Sequence, residues 1–287
     1  MASRKKTAQV RVAGKPKAVR GQPALADLDV IILCGGQGTR LREETEFKPK
    51  PMIEIGGRPI LWHIMKIYAS FGIRSFILCL GYRGEVIRDY FLNYRYGGAD
   101  LIVDLGSSSV EVVGNSPKEN WRVVLAETGA VAQTGARMRV ATKYLRNSRF
   151  LATYGDGVAN IDLRALHDNH IASGRSATVT AVHPTARFGE IAVRAGQVTL
   201  FWEKPQVTSG WVNGGFFGFE RAVFDRADTS NELSLEGQIL PDLARGNQLG
   251  AYHHKGFWQC MDTYRDMLLL NELYRSGRAP WMTGGGW

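Results

Sequence analysis

The sequence predicts an α/β fold: a mixed, mostly parallel sheet flanked by helices, with a β-rich elaboration towards the C-terminus. Three observations predict it. From Leu28 onward, short β-rich runs alternate with helix-length segments, the rhythm of βαβ units. The first run, residues 29–34 (DVIILC), is apolar after its first residue and stops at Gly35-Gly36, as a strand buried on both faces should. After about residue 176 the spacing shortens to strand-length runs joined by polar connections, which read as hairpins or a mixed-sheet insertion.

Pro59 opens a helix whose Leu61, Ile64, Met65 and Tyr68 share one face and which stops at Gly72. A strand is expected at residues 75–80, a helix at 85–94, a strand at 121–125, a helix at 133–145 and a strand at 150–154. Further strands are expected at 178–182, 189–193, 198–202 and 211–219, and helices at 235–245 and 264–276. No linker divides the chain. It reads as a basic arm, residues 1–27, and one domain, residues 28–287, with a first part to about 175 and a second from 176.

The 287 residues suffice for one large domain with a sizeable core. With 44% hydrophobic and 22% charged residues and 33 glycines, the chain is neither collagen-like, coiled-coil nor wholly disordered. No stretch approaches the roughly 18 apolar residues of a membrane span. No apolar core comes after the basic N-terminus, which argues against a secretory signal; the acid-free residues 1–26 leave a transit peptide open. Cys34, Cys79 and Cys260, widely spaced and odd in number, suit neither a disulfide framework nor paired metal motifs, so a reducing, cytoplasmic setting is expected. Of the net charge of +9, Arg4, Lys5, Lys6, Arg11, Lys15, Lys17 and Arg20 account for seven. The nearly neutral remainder argues against a nucleic-acid surface, and the arm, poor in large apolar residues, reads as a solvated leader.

Ligands of open α/β sheets bind beyond the carboxyl ends of the strands, so the residues just past each strand are the ones to weigh. After the first strand comes Gly35-Gly36-Gln37-Gly38-Thr39-Arg40. Its glycines leave backbone N–H groups free to turn towards phosphate oxygens, and Thr39 and Arg40 add donors. It is neither a P-loop, for which GxxxxGK[ST] is absent, nor a full dinucleotide fingerprint, because Leu41 stands where the third glycine belongs. Lys48-Pro49-Lys50-Pro51 sets two cations between prolines and is expected to be rigid and extended. Asp156 comes directly after the strand FLATY, and Asp262 precedes a helix. Each suits Mg²⁺ beside a triphosphate, and each equally suits a structural role, Asp156 in a turn and Asp262 as an N-cap. Glu203-Lys204-Pro205 ends a strand with an acid, a cation and a stop, and Asn213-Gly214-Gly215 puts an amide beside two glycines where a ligand could approach. The histidines show no ligand spacing, with His253 and His254 expected on opposite strand faces. Cys34, Trp62, Trp202, Trp258 and Trp281 read as packing.

Together these segments resemble the sugar-phosphate nucleotidyltransferases, and among them the glucose-1-phosphate cytidylyltransferases. The resemblance runs from about residue 30 to 281 and is carried by LCGGQGTRLREET, KPKPMIEIGGRPILWHIMKIY, TYGDGVA, FWEKP, VNGGFF, GFWQCMDTYRD and GRAPW. It implies a Rossmann-like fold whose second part binds sugar, and transfer of a cytidylyl group from CTP to α-D-glucose 1-phosphate. Leu33, Cys34, Gly35, Gly36, Gln37, Gly38, Thr39, Arg40, Lys50, Thr128, Val131, Ala136 and Gly155 would then meet the nucleotide. Arg40, Lys50 and Lys204 would be the catalytic cations, and Asp156 and Asp262 would hold Mg²⁺. Glu203, Lys204, Asn213 and Gly214 would receive the sugar phosphate. The resemblance also implies a homo-oligomer, trimer or hexamer, with no nucleic-acid or membrane partner. One segment departs from the family pattern: residues 127–137 read ETGAVAQTGAR, with Val131 and Ala132 where relatives carry a serine that faces the base. UTP, or another sugar 1-phosphate, is the alternative substrate this leaves.

Overall fold

The computed structural model describes residues 23–36, 41, 45–114, 119–184, 190–202, 210–225, 227 and 230–282, though not the side chains of 190–193 and 201–202. The basic arm before residue 23, the loop residues Gln37, Gly38, Thr39 and Arg40, and Glu203 and Lys204 lie outside them.

Seven strands form the central sheet: β1 (Asp29–Leu33), β2 (Ser75–Leu80), β3 (Arg122–Glu127), β4 (Arg149–Tyr154), β5 (Ala177–Val182), β6 (Val212–Glu220) and β7 (Leu249–His254), in the order β7-β5-β6-β4-β1-β2-β3. All run parallel except β6, which is antiparallel to both neighbours. β1 and β2 are buried at every position because they lie inside the sheet with both faces covered. The residues of β1 divide between two cores: Val30 and Ile32 face one, Ile31 and Leu33 the other.

Helices cover the sheet. α1 (Ile60–Ser70) starts behind Pro59, whose φ of −55° suits a helix entry, and buries Leu61, Ile64, Met65 and Tyr68 as their spacing predicts. Next along the chain are α2 (Gly84–Leu92), α3 (Thr134–Ala141), α4 (Leu163–Ser173) and α5 (Tyr264–Arg275). α4 is absent from the sequence-based expectation, and β7 extends to six residues a strand expected only at His253 and His254. α4 is weakly amphipathic by sequence, and its N-terminus is held by Asp162, whose carboxylate accepts from the N–H groups of Arg164 and Ala165. The expected helix at 235–245 opens as a π-helical turn, Leu235–Ile239, before Leu240–Arg245. The hairpin Asp100–Asp104/Ser109–Val113 is likewise an addition to the expected elements.

Among the described residues of the second half, Glu190–Arg194 and Gln197–Trp202 form a separate hairpin, whereas β5 and β6 join the main sheet. Both parts of the chain thus share one sheet.

β1 is the switch point of the topology. The chain passes from β1 to β2 and β3 on one side, then returns to place β4 on the other. Loops leaving the carboxyl ends of β1 and β4 must therefore diverge, and a crevice opens between them.

Candidate active site

A cavity of about 270 Å³ occupies that crevice, lined by Leu33 to Gly36 after β1, Lys50 and Pro51, Ala132 to Thr134 and Arg137 from α3 and the loop before it, and Tyr154 to Asp156 after β4. Its floor closes at Gly155. The Gly155 N–H donates to the Leu33 carbonyl at 3.0 Å. A Cβ there would stand 2.8 Å from both that oxygen and Pro51 Cγ, so only glycine lets the three segments meet.

Lys50 is not on an extended strand. Pro49 is extended, but Lys50–Met52 turn back as a 3₁₀ helix, with the Met52 N–H donating to Pro49 O and the Ile53 N–H to Lys50 O. The turn carries the lysine inward, leaving its side chain 11% exposed. Its Nζ donates to Asp156 Oδ2 at 2.7 Å and to Asp262 Oδ1 at 2.5 Å. Burial opposes the charge, but the neighbouring Asp156 carboxylate, with the hydrogen bonds to Asp156 and Asp262, holds the ammonium pKa above the ordinary lysine value.

A short sheet joins the two aspartates. Gly157–Ala159 pairs antiparallel with Trp258–Cys260, and the Met261 N–H donates to Asp156 O at 2.8 Å. Asp262 is not the N-cap of α5. Thr263 is, in a reciprocal capping box with Asp266, so the Asp262 side chain is left for Lys50. Donor atoms of Asp156, Cys260 and Asp262 lie within 4.8 Å of one another. Burial, chiefly, raises the Cys260 pKa and keeps it a neutral thiol. Two carboxylates that already hold one cation between them fit a hard divalent ion.

Arg137, on α3, is a further site residue that the sequence did not single out. It is 5% exposed. Nη1 donates to Leu80 O at 3.0 Å, Thr128 Oγ1 at 2.8 Å and Gly129 O at 2.8 Å, while Nη2 donates to Gly35 O at 3.2 Å and Ala130 O at 3.3 Å. One guanidinium therefore ties the ends of β1 and β2 to the loop before α3. Burial pulls its pKa below the ordinary arginine value.

This geometry sits in a chain with known relatives. The nucleotidyl transferase family model matches residues 29–276. The chain belongs to the nucleotidyl transferase family. It is 46% identical over 257 residues to the glucose-1-phosphate cytidylyltransferase of Salmonella typhimurium, covering 89% of this chain and 99% of that one. It is 41% identical to the probable glucose-1-phosphate cytidylyltransferase of Bacillus subtilis, covering 88% and 99%. HddC from Yersinia pseudotuberculosis, solved with GMP-PN, shares the fold at a TM-score of 0.62 and 22% identity, covering 86% of this chain and 99% of its own.

In this nucleotidyl transferase, Leu33, Cys34, Gly35, Gly36, Lys50, Gly155 and Asp156 border one cavity, and Lys50 links Asp262 to it. Thr128 is buried behind the cavity, its hydroxyl donating to Leu80 O. Two further residues expected at the nucleotide do not line the cavity. Val131 is 81% exposed, and Ala136 is packed in the core on α3. The cavity is reached instead by Ala132, Gln133 and Thr134, because α3 begins at Thr134 and turns Ala136 towards the sheet. Asn213 lies at the rim, where its Nδ2 donates to the Tyr154 hydroxyl at 3.1 Å. Gly214 is buried against β5, where a Cβ would stand 2.6 Å from Val182. Arg40, Glu203 and Lys204 fall outside the described residues. Cys34 is buried as expected, and of the histidine pair His254 is buried while His253 is exposed.

No helix among the described residues is long and apolar enough to cross a membrane.

Proposed function

We propose that this chain transfers a cytidylyl group from CTP to α-D-glucose 1-phosphate, giving CDP-glucose and pyrophosphate. The observation that carries the reading is Lys50 held between Asp156 and Asp262 beside a cavity at the switch point of the sheet. Identity of 46% with a named glucose-1-phosphate cytidylyltransferase over nearly all of both chains supports the choice of substrates.

A phosphate oxygen of the sugar attacks the α-phosphorus of CTP in line, and the bond to pyrophosphate breaks on the opposite side. No general base is required, because a phosphate monoester has its second pKa near 6 and is mostly dianionic at neutral pH. The obstacle is the approach of two polyanions, which the protein meets by positioning and by fixed positive charge. The amides of Gly35 and Gly36 sit at the nucleotide, with Arg40 and the rest of the glycine loop assigned to the departing pyrophosphate. Lys50 is assigned to the α-phosphate, Lys204 to the sugar phosphate, and Glu203, Asn213 and Gly214 to the sugar. The buried guanidinium of Arg137 holds the Thr128 hydroxyl and the carbonyls of Gly129 and Ala130, in the segment assigned to reading the pyrimidine. Asp156 and Asp262 would hold Mg²⁺, which supplies charge neutralisation at the phosphates. The reading further includes a homo-oligomeric, cytoplasmic enzyme.

Pyrophosphate release measured over CTP, UTP, GTP and dTTP against several sugar 1-phosphates tests the reading. CTP with glucose 1-phosphate is expected to give the highest kcat/KM. A higher value for any other pair overturns the substrate assignment, and turnover without a divalent ion overturns the metal.

A further inference from the structure

Beside the Lys50 centre lies a second polar network, whose hub has no role in the reaction just proposed. Its hub is Glu236, an exposed residue on the π-helical turn Leu235–Ile239. Such turns recur at functional sites because the widened backbone re-aims a side chain. Glu236 Oε1 accepts from the Tyr154 hydroxyl at 2.6 Å, and Oε2 accepts from the Thr134 hydroxyl at 2.6 Å. Tyr154 and Thr134 both line the cavity. The two are not equally dependent on Glu236: Thr134 Oγ1 also accepts the Leu235 N–H at 3.0 Å and stays anchored without it.

The Tyr154 side of the network leads to Asn213. With its proton committed to Glu236, the Tyr154 oxygen can only accept, and it accepts Asn213 Nδ2 at 3.1 Å. Asn213 Oδ1 accepts the Gly215 N–H at 2.8 Å, and a backbone N–H can only donate, so the orientation of the amide is fixed. Gly215 permits this arrangement: its φ is +78°, and a Cβ there would lie 2.5 Å from the Tyr154 ring. Among the described residues, one N–H of Asn213 is left uncommitted.

We infer that Glu236 is a positioning residue for the acceptor substrate: by holding the Tyr154 hydroxyl as an acceptor it anchors one N–H of Asn213, whose amide orientation the Gly215 N–H sets, so that the other N–H is presented to a hydroxyl of the sugar phosphate. The inference rests on the proposed reading for the assignment of Asn213 to the sugar. Losing Glu236 frees the Tyr154 hydroxyl to rotate and removes the oriented acceptor from Asn213 Nδ2, so the amide keeps its anchor at the Gly215 N–H and loses the other.

The test compares E236A, E236Q, Y154F and E236A/Y154F in the full chain, with KM for each substrate and kcat measured beside the wild type. E236A is expected to raise the KM for glucose 1-phosphate about tenfold, the scale of one hydrogen bond, and to leave the KM for CTP within about twofold. E236Q keeps an acceptor oxygen and should stay within about threefold of wild type. Because Glu236 acts through Tyr154, E236A should add less than about twofold in the Y154F background. An unchanged acceptor KM in E236A, an equal rise for CTP, or full additivity with Y154F overturns the inference. A wrong substrate assignment shows separately, in the wild type, and the same KM comparison is then read on the sugar 1-phosphate the wild type does use.

Discussion

Lys50 Nζ lies 2.7 Å from Asp156 Oδ2, across 106 residues of sequence, and the same ammonium reaches Asp262 at 2.5 Å. The three groups form one electrostatic unit in which a single cation holds two carboxylates together. Replacing Lys50 with alanine is expected to lower kcat about a hundred- to a thousandfold, the usual effect of deleting one charge that stabilises a transition state. Steady-state pyrophosphate release checks it, and near-normal turnover would remove Lys50 from the chemistry.

Asp156→Asn keeps the shape of that unit and removes one charge. It is expected to abolish Mg²⁺-dependent turnover and to weaken metal binding measured by calorimetry in the absence of substrates. Full activity at ordinary Mg²⁺ concentrations would leave Asp156 as a turn residue.

Arg137→Ala should destabilise the fold by about 3 kcal/mol, because the carbonyls of Gly129 and Ala130 lose the buried donor that holds them. Urea unfolding reads the stability. The KM for CTP should rise with it, and Arg137→Lys should restore little of either, since one ammonium cannot span five acceptors. A lysine variant as stable as wild type would contradict this account.

His63 makes stability depend on pH. It is fully buried; Trp281 Nε1–H donates to its Nδ1 at 3.3 Å, so its Nε2 carries the proton that bonds Ile55 O at 2.8 Å. A second proton would face a donor in the interior. Burial, chiefly, lowers its pKa from 6.5 to about 4. The unfolded chain therefore takes up the proton first. The contribution of His63 is complete above pH 6.5 and declines as pH falls towards 4, by about 3 kcal/mol in all. The thermal midpoint of His63→Gln should vary less with pH across this window than that of wild type; parallel curves would refute it.

The candidate site was legible in the sequence wherever its signal was local. Gly35-Gly36 after an apolar strand, Lys50 between prolines and Asp156 directly after a strand each mark a strand end or a turn, and all three border the cavity. Arg137 was not legible, because a charged residue in a short helix looks solvated until the sheet order brings Leu80, Thr128 and Gly35 around it. The outward turn of Val131 was hidden for a related reason: a segment that departs from the family pattern says nothing by itself about which of its side chains turns inward.

The sequence by itself determined the alternation of strands and helices, the helix entry at Pro59 and the strand-end segments that border the cavity, because each depends on periodicity or backbone chemistry within a few residues. Only the tertiary structure decided that β5 and β6 extend the main sheet, that Asp156 and Asp262 share one lysine, and that Glu236 bridges Tyr154 and Thr134. The side-chain pairings among them span roughly 80 to 210 residues of chain. The order of strands in a sheet sets them, and no short-range pattern of side chains encodes that order.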